Sequence, residues 1–281
     1  MILDSDEDET NMNDSAVLQR RPLLSHERYG HGSNVVFVLH EFYGCIRSWD
    51  PLRPFLDADR FSYIFVDLRG YGASARITGR CDAEEISGDV AALATALSIP
   101  RYSLIGHSMT GMAIQHALVI DAKEARAIER AVAVTPAPTD GYDVDDAAKA
   151  FFQSTTTDDE ALAQAISMLT SSRWGEAYFR YKRRLNRSSS DPTVMARYLE
   201  HLIFPRGFAE AAAKAAVTTP LLVVAGVHDG PGVQLRDLQR SMGDAFPRVQ
   251  WAELEGAGHY PMDECPVSLA TVIQRFLTER G

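Results

Sequence analysis

The sequence has few of the features that mark membrane, secreted or metal-binding proteins. It contains three cysteines among 281 residues, and Cys45, Cys81 and Cys265 are too far apart to suggest a metal-ligand spacing or a disulfide framework. No apolar run approaches the roughly 18 residues that a membrane span requires. The first residues also lack the basic start and apolar run of a secretion signal. These absences favour a cytoplasmic protein without a metal site.

Positive charge is also scarce in this chain. The 38 acidic residues outnumber the 28 basic ones and give a formal net charge of -10, which argues against nucleic acid as a partner. Residues 1–14 are acidic and contain no lysine or arginine. Because such a segment is too polar to pack, we predict that residues 1–14 form a disordered tail.

The sequence does contain an alternation of short apolar runs and helical patterns. Continuous apolar runs are typical of strands that are covered on both faces. The predicted strands include residues 35–39, 62–66, 102–106, 131–134, 221–226 and 249–254, with one or two edge strands within 17–29. Strands that alternate with helices at this spacing predict a mostly parallel sheet with helices on both faces.

The alternation stops between residues 140 and 216, where the pattern is helical only. The predicted helices of this insert are 145–153, 158–169, 174–185, 192–203 and 208–216. Asp158 and Asp191 stand at positions typical of N-caps. We therefore predict a core formed by residues 15–139 and 217–281, with a helical cap at 140–216 inserted after the fourth recognised strand.

The cap is rich in bulky aromatic side chains, which allow two interpretations. They either pack the insert onto itself and onto the sheet, or a few of them line a pocket above the sheet edge. For the second interpretation the candidate substrate-binding residues are Phe151, Trp174 and Tyr178.

The most informative stretch is residues 102–113, which reads as a strand, a tight turn and a helix. Ser108 stands at the turn, where its hydroxyl would be exposed at the carboxyl end of the strand. Such a turn needs small neighbours, because it is strained and the strand and helix pass close together. Gly106 supplies one, whereas Thr110 stands where a second glycine is usual and Gly111 follows one residue later. The alternative is a glycine turn with an ordinary surface serine.

A serine hydroxyl becomes a nucleophile only with a base within reach and a group that fixes the tautomer of that base. In a parallel sheet, such residues meet at the edge formed by the carboxyl ends of the strands. His259 follows one predicted strand in a glycine-rich loop, and Asp229 follows another. The chain order is then Ser108, Asp229 and His259, with His228 as an alternative base.

These motifs resemble those of the α/β-hydrolase superfamily. The segments that carry the resemblance are residues 40–44, 67–74, 106–111, 226–229 and 256–261. The resemblance implies the α/β-hydrolase fold, with Ser108 as nucleophile, His259 as general base and Asp229 as the acid that orients it. It also implies that the insert shapes the substrate site and that no cofactor or metal is required.

The same resemblance implies an oxyanion hole made of two backbone N–H groups. One belongs to Met109, the residue after the nucleophile, and the other lies in the loop after the first strong strand. By register this second donor is Phe42, preceded by Glu41 where the family usually has glycine. For His40 we expect either structural hydrogen bonds beneath this loop or contact with substrate.

A serine nucleophile favours hydrolysis of a carboxylic ester or lactone through an acyl-enzyme. The chain is also similar overall to small serine esterases carried on bacterial resistance cassettes, which suggests a macrolide lactone as substrate. The alternatives are a C–C bond hydrolase or perhydrolase with the same triad, and a ligand-binding member with little turnover. We expect a small-molecule partner, neither nucleic acid nor membrane, and a monomer or weak homodimer.

Overall fold

A single sheet forms the centre of the protein. The computed structural model describes residues 21–124, 128–243 and 245–279, so the predicted tail at residues 1–14 lies outside the described residues. Within them the strands are β1 (His26–Tyr29), β2 (Asn34–Leu39), β3 (Phe61–Val66), β4 (Tyr102–His107), β5 (Ile128–Val134), β6 (Leu221–Gly226) and β7 (Val249–Leu254). Their spatial order is β1-β3-β2-β4-β5-β6-β7.

The strand directions confirm the mostly parallel sheet. Strand β1 pairs antiparallel with β3, and the other neighbouring pairs are parallel. Every residue of β3, β4 and β6 is buried, as expected for parallel strands covered on both faces. The edge strand β1 instead alternates between exposed and half-buried residues.

Helices surround this sheet and form the insert. They are α1 (Ala83–Ala96), α2 (Met109–Glu124), α3 (Asp146–Ser154), α4 (Asp159–Leu169), α5 (Glu176–Ser189), α6 (Pro192–Tyr198), α7 (Ala209–Ala215), α8 (Leu235–Met242), α9 (Pro261–Glu264) and α10 (Pro266–Thr278). A lipid bilayer could not be crossed by any helix within the described residues, since none is both long and apolar enough.

The sequence of residues 48–56 predicts a short helix, but two short 3₁₀ segments occupy this region instead. These are Ile46–Trp49 and Arg53–Phe55. Pro51 and Pro54 lack the backbone N–H groups that a continuous α-helix would use there, so the helix is interrupted.

Helices α3 to α7 lie between β5 and β6, and we use the name cap for residues 140–216. Asp158 begins α4 by accepting hydrogen bonds from two backbone N–H groups of its first turn. Asp191 does the same for α6, which continues into one π-helical turn at Leu199–Ile203. Both aspartates act as the predicted N-caps.

Candidate active site

Ser108 lies in the tight turn between β4 and α2. Its φ is 57°, a left-handed conformation that is strained for a residue with a side chain. The turn is held because the backbone N–H of Ser108 donates to the carbonyl of Val134 at 3.0 Å. The strained turn lifts the Ser108 side chain to the carboxyl edge of the sheet.

The two glycines near this turn have little space around them. A Cβ atom on Gly106 would lie 2.4 Å from the carbonyl oxygen of Thr110. A Cβ atom on Gly111 would lie 2.7 Å from the Cβ of Pro136. Gly106 is needed because β4 and α2 approach each other more closely than a side chain allows, and Gly111 is needed because α2 packs closely against Pro136, just after β5.

Thr110, which replaces the usual second glycine, has a hydrogen-bonding role that the sequence did not reveal. Its hydroxyl accepts the backbone N–H of His107 at 2.8 Å. The same hydroxyl lies 3.1 Å from the carbonyl of Leu39 and 3.0 Å from that of His107. Thr110 therefore ties the turn to the neighbouring strand β2.

The structure brings Ser108, His259 and Asp229 together in one hydrogen-bonded chain. Nε2 of His259 lies 2.8 Å from Oγ of Ser108. Nδ1 of His259 lies 2.9 Å and 3.0 Å from the two carboxylate oxygens of Asp229. A carboxylate only accepts, so Nδ1 carries the donated hydrogen and Nε2 is free to accept the serine proton. This geometry can activate the hydroxyl as a nucleophile.

Asp229 and His259 reach the site from loops that follow β6 and β7. These loops pack tightly, since a Cβ on Gly226 would lie 2.3 Å from the carbonyl oxygen of Gly258. Asp229 is oriented by the backbone N–H of Gly230, which donates to its Oδ1 at 2.7 Å. His228, the alternative base, makes no hydrogen bond to Ser108 in the part of the chain that the structure describes.

The predicted oxyanion donors, Phe42 and Met109, line the same cavity as Ser108. Met109 is the first residue of α2, where a helix leaves backbone N–H groups without an internal partner. Across the described ranges, the N–H groups of Phe42 and Met109 have no hydrogen-bond acceptor. Neither N–H group is therefore occupied by another group of the described residues.

His40 lies beneath the loop that carries Phe42 and does not line the cavity. Its Nδ1 donates to the carbonyl of Glu41 at 2.8 Å, and its Nε2 accepts the N–H of Leu68 at 3.1 Å. Burial lowers the pKa of His40, despite the opposing effect of Asp67. A neutral imidazole with these two bonds has a structural role.

The cavity above Ser108 has a volume of about 320 Å³ and a largely apolar wall. Its lining includes Phe42, Tyr43, Phe152, Met168, Ile203 and Phe204, with Ser108 and His259 also on its surface. The cap and the core therefore both contribute to its wall.

The other three predicted substrate-binding residues are not in the cavity lining. Phe151 is half-buried elsewhere in the packing, whereas the adjacent Phe152 lines the cavity. Successive helical residues point about 100° apart, so the sequence pattern predicted the helix but not which of the two phenylalanines faces the cavity. Trp174 and Tyr178 instead donate hydrogen bonds to Glu264 and Asp263, at 3.3 Å and 2.9 Å.

The loop that carries His259 is held by a buried carboxylate that the sequence did not reveal. Glu264 accepts the backbone N–H groups of Gly258 and Tyr260, both at 2.9 Å. It also forms an ion pair with Arg173 of the cap. The residues on both sides of His259 are therefore fixed by one side chain, and Arg173 of the cap neutralises its charge.

The cap also contacts backbone groups of the two loops that carry Asp229 and His259. The N–H of His259 donates to the carbonyl of Leu169 at 3.1 Å, and the hydroxyl of Ser171 donates to the carbonyl of His228 at 2.8 Å. Ser171 has a left-handed φ of 50°. The turn after α4 thus supports the loops that carry Asp229 and His259.

Glu41 and Lys182 form a second charged contact between core and cap. Both side chains are buried, and Lys182 Nζ lies 3.4 Å from Glu41 Oε1. Lys182 lies four residues after Tyr178, on the same face of α5. No feature of the sequence paired it with Glu41.

The three cysteines are free thiols, and burial raises the pKa of Cys81 to about 12. Within the described part of the chain, no group of three or more His, Cys, Asp or Glu side chains has a geometry that could hold a metal ion.

Comparison with known proteins identifies the family. The Alpha/beta hydrolase family matches residues 29–272, and the chain therefore belongs to it. This membership and the sheet topology confirm the predicted α/β-hydrolase fold and support a hydrolase.

Similar solved structures agree with this fold. A bromoperoxidase from Bacillus anthracis superposes with a TM-score of 0.79 at 20% identity, covering 93% of this chain and 98% of that chain. An enol-lactonase from Burkholderia xenovorans LB400 superposes with a TM-score of 0.74 at 23% identity, covering 91% and 96%. At these identities the similarity shows the fold alone.

A curated relative matches a shorter segment. The dihydrolipoyllysine-residue acetyltransferase component of the acetoin cleaving system from Pseudomonas putida is 39% identical over 82 residues. This segment is 29% of the present chain and 22% of that relative. The chain thus spans less than a quarter of that relative's length.

Proposed function

We propose that the protein is a serine hydrolase that cleaves a carboxylic ester or lactone through an acyl-enzyme. The observation that carries this proposal is the hydrogen-bonded chain from Ser108 through His259 to Asp229, which opens on an apolar cavity. A serine placed this way has both a base and a group that orients the base.

The reaction begins when Oγ of Ser108 attacks the substrate carbonyl carbon and its proton moves to Nε2 of His259. Asp229 stabilises the imidazolium that forms. The carbonyl oxygen becomes negatively charged between the N–H groups of Phe42 and Met109, and one such donor typically contributes about 3 kcal/mol of transition-state stabilisation.

The tetrahedral intermediate then collapses to the acyl-enzyme. His259 gives its proton to the leaving alcohol oxygen, and the carbon–oxygen bond of the ester breaks. A water molecule, deprotonated by His259, attacks the acyl carbon, and the acid leaves as the proton returns to Ser108. For a lactone, the leaving alcohol and the acid are parts of one product.

The size and polarity of the cavity support an apolar acyl group. Its volume of about 320 Å³ is near the lower end of the about 300–1,000 Å³ that is usual for ligand pockets. We therefore rank a medium-chain ester or small lactone above a macrolide lactone. A macrolide lactone is the more specific hypothesis. It would require either that most of its ring lies outside the cavity or that the cap moves.

Release of p-nitrophenol from p-nitrophenyl butyrate tests the reaction class. We expect turnover by the wild type and a fall of at least about 10⁴-fold in kcat for Ser108→Ala. Asp146→Asn, at a fully exposed carboxylate of the cap, is the matched control and retains the wild-type rate. Tight binding of ligands without Ser108-dependent turnover would instead support a binding protein.

Mass spectrometry of a substrate panel then tests the substrate class. The panel includes short and medium acyl esters, acyl homoserine lactones and macrolides, and hydrolysis is the gain of one water. Reaction only in the presence of hydrogen peroxide would favour a perhydrolase. If the esters and lactones stay intact but a substrate with a hydrolysable C–C bond is cleaved, a C–C bond hydrolase is favoured.

A further inference from the structure

A buried lysine lies between the cap and the core. Lys182 in α5 is 0% exposed. Its Nζ lies 3.4 Å from Glu41 Oε1 and 3.5 Å from Asp263 Oδ2, and 3.9 Å from the ring centroid of Tyr260. A buried charge is strongly unfavourable unless it is paired, so Lys182 is held where it is by these partners.

Glu41 brings three parts of the molecule together. Its carboxylate accepts the hydroxyl hydrogen of Ser48 at 3.1 Å and contacts Lys182 of the cap. Nδ1 of His107, the residue before Ser108, lies 3.5 Å from Glu41 Oε2. One carboxylate therefore contacts the loop after β2, the nucleophile turn and the cap.

The charges of this pair are mutually stabilised. Burial by itself favours the neutral amine, but Asp263 and Glu41 outweigh it and raise the pKa of Lys182. Burial also opposes ionisation of Glu41, but Lys182 and His107 outweigh it and lower the pKa of Glu41. The contact is thus an ion pair at neutral pH.

The backbone of Glu41 shares a peptide group with the predicted oxyanion donor. The carbonyl of Glu41 accepts Nδ1–H of His40 at 2.8 Å and the N–H of Gly44 at 3.3 Å. In a planar trans peptide the N–H points opposite to the carbonyl. Fixing Glu41 at both its carbonyl and its side chain therefore fixes the direction of the N–H of Phe42.

We infer that Lys182 is a positioning residue for the reaction: by holding Glu41 it keeps the N–H of Phe42 directed at the oxyanion. The cap thereby helps to set the geometry of the oxyanion hole, although both proposed donors belong to the core. This inference rests on the proposed function.

The test uses a trifluoromethyl ketone that carries the acyl chain of the best ester. Ser108 adds to such a ketone and places the resulting oxyanion in the oxyanion hole, so the inhibition constant reports on the donors. For Lys182→Met we expect kcat to fall about 10–100-fold and the inhibition constant to rise by a similar factor, because small displacements of catalytic groups have effects of this size. The KM for the ester should change little.

A double variant separates positioning from a merely structural role. Lys182→Met combined with Glu41→Gln removes both charges of the Glu41–Lys182 pair. Asp263 loses its cation but still accepts the hydroxyl hydrogen of Tyr178, so stability should recover in part toward the wild type. We expect the ketone affinity to stay weak in this variant and to recover in part in Lys182→Arg. Lys214→Met is the matched control, because it breaks an exposed glutamate–lysine pair on α7.

Three outcomes would overturn the inference. The first is a folded Lys182→Met variant that binds the ketone as tightly as the wild type. If that variant does not fold, wild-type ketone affinity in the double variant is equally decisive. If the wild type shows neither Ser108-dependent turnover nor ketone binding, the proposed function fails and this inference fails with it.

Discussion

The sheet edge and the cap contribute to the candidate site by different physical means. At the sheet edge, backbone geometry positions the side chains: Ser108 at a strained turn, and Asp229 and His259 in loops after two neighbouring strands. The cap adds ion pairs to its backbone and apolar contacts with the site: Lys182 pairs with Glu41, and Arg173 pairs with Glu264. The difference suggests that the edge builds the triad, whereas the cap adjusts its surroundings.

The two regions also differ in how they are packed. Helix α2, next to the triad, buries most of its residues, whereas α5 buries only Lys182 and Asn186 among its described residues. Elements with few buried apolar contacts open at lower free energy than the core does. Disturbing the edge should therefore have larger effects than disturbing the cap.

The largest expected effect is at the triad. Asp229→Asn keeps the shape of the side chain but favours the wrong tautomer of His259, so kcat should fall about 10⁴-fold. Steady-state kinetics with p-nitrophenyl butyrate measure this, and Asp146→Asn is the control. A loss of less than tenfold would mean that Asp229 does not orient the base.

The next effect concerns the close approach of β4 and α2. Gly106→Ala places a Cβ 2.4 Å from a backbone oxygen, so the free energy of unfolding should fall by about 3 kcal/mol. Gly175→Ala is the control, because no atom lies within 4 Å of the added Cβ. Urea unfolding measures both, and equal stability of the two variants would contradict the close approach.

A smaller effect is expected where the cap supports the base. Arg173→Met leaves the buried Glu264 without its cation and loosens the loop on both sides of His259. We expect kcat to fall about tenfold because of the misplaced imidazole. Arg236→Met, at a side chain that is 78% exposed, is the control, and an unchanged kcat for Arg173→Met would show that the cap does not position the base.

The smallest expected effect is on acid stability. The folded-state pKa of Glu41 lies below its ordinary value of 4.5, so its contribution is present above pH 4.5 and lost as the pH falls further. The pKa of Lys182 is raised above 10.5, so its contribution is lost only at more alkaline pH. Between pH 7 and pH 3, the wild type should lose about 1 kcal/mol more stability than the double variant. Equal losses in urea unfolding would contradict the pairing.

The sheet edge was largely predictable because its signals are local. The apolar runs define the strands, and Ser108 lies within a recognisable strand–turn–helix pattern. Asp229 and His259 each follow a strand directly, so the rule that carboxyl ends of parallel strands meet at one edge was enough to bring them together.

The contacts of the cap were not predictable because they join residues that are distant in sequence. Glu41 was recognised only as a departure from the usual glycine, and its partner Lys182 lies 141 positions away. Phe152 lines the cavity instead of Phe151 because the phase of a short helix depends on its packing. Thr110 was recognised only as a replacement for the usual second glycine, since its hydrogen bond toward Leu39 depends on the pairing of β2 with β4.

The most direct test of the account is the intact mass of the protein after rapid acid quenching with p-nitrophenyl butyrate. We predict a species that carries one butyryl group, located on Ser108 by peptide mapping and missing in Ser108→Ala. Turnover without an acylated Ser108, or turnover that persists in Ser108→Ala, would contradict the proposed acyl-enzyme.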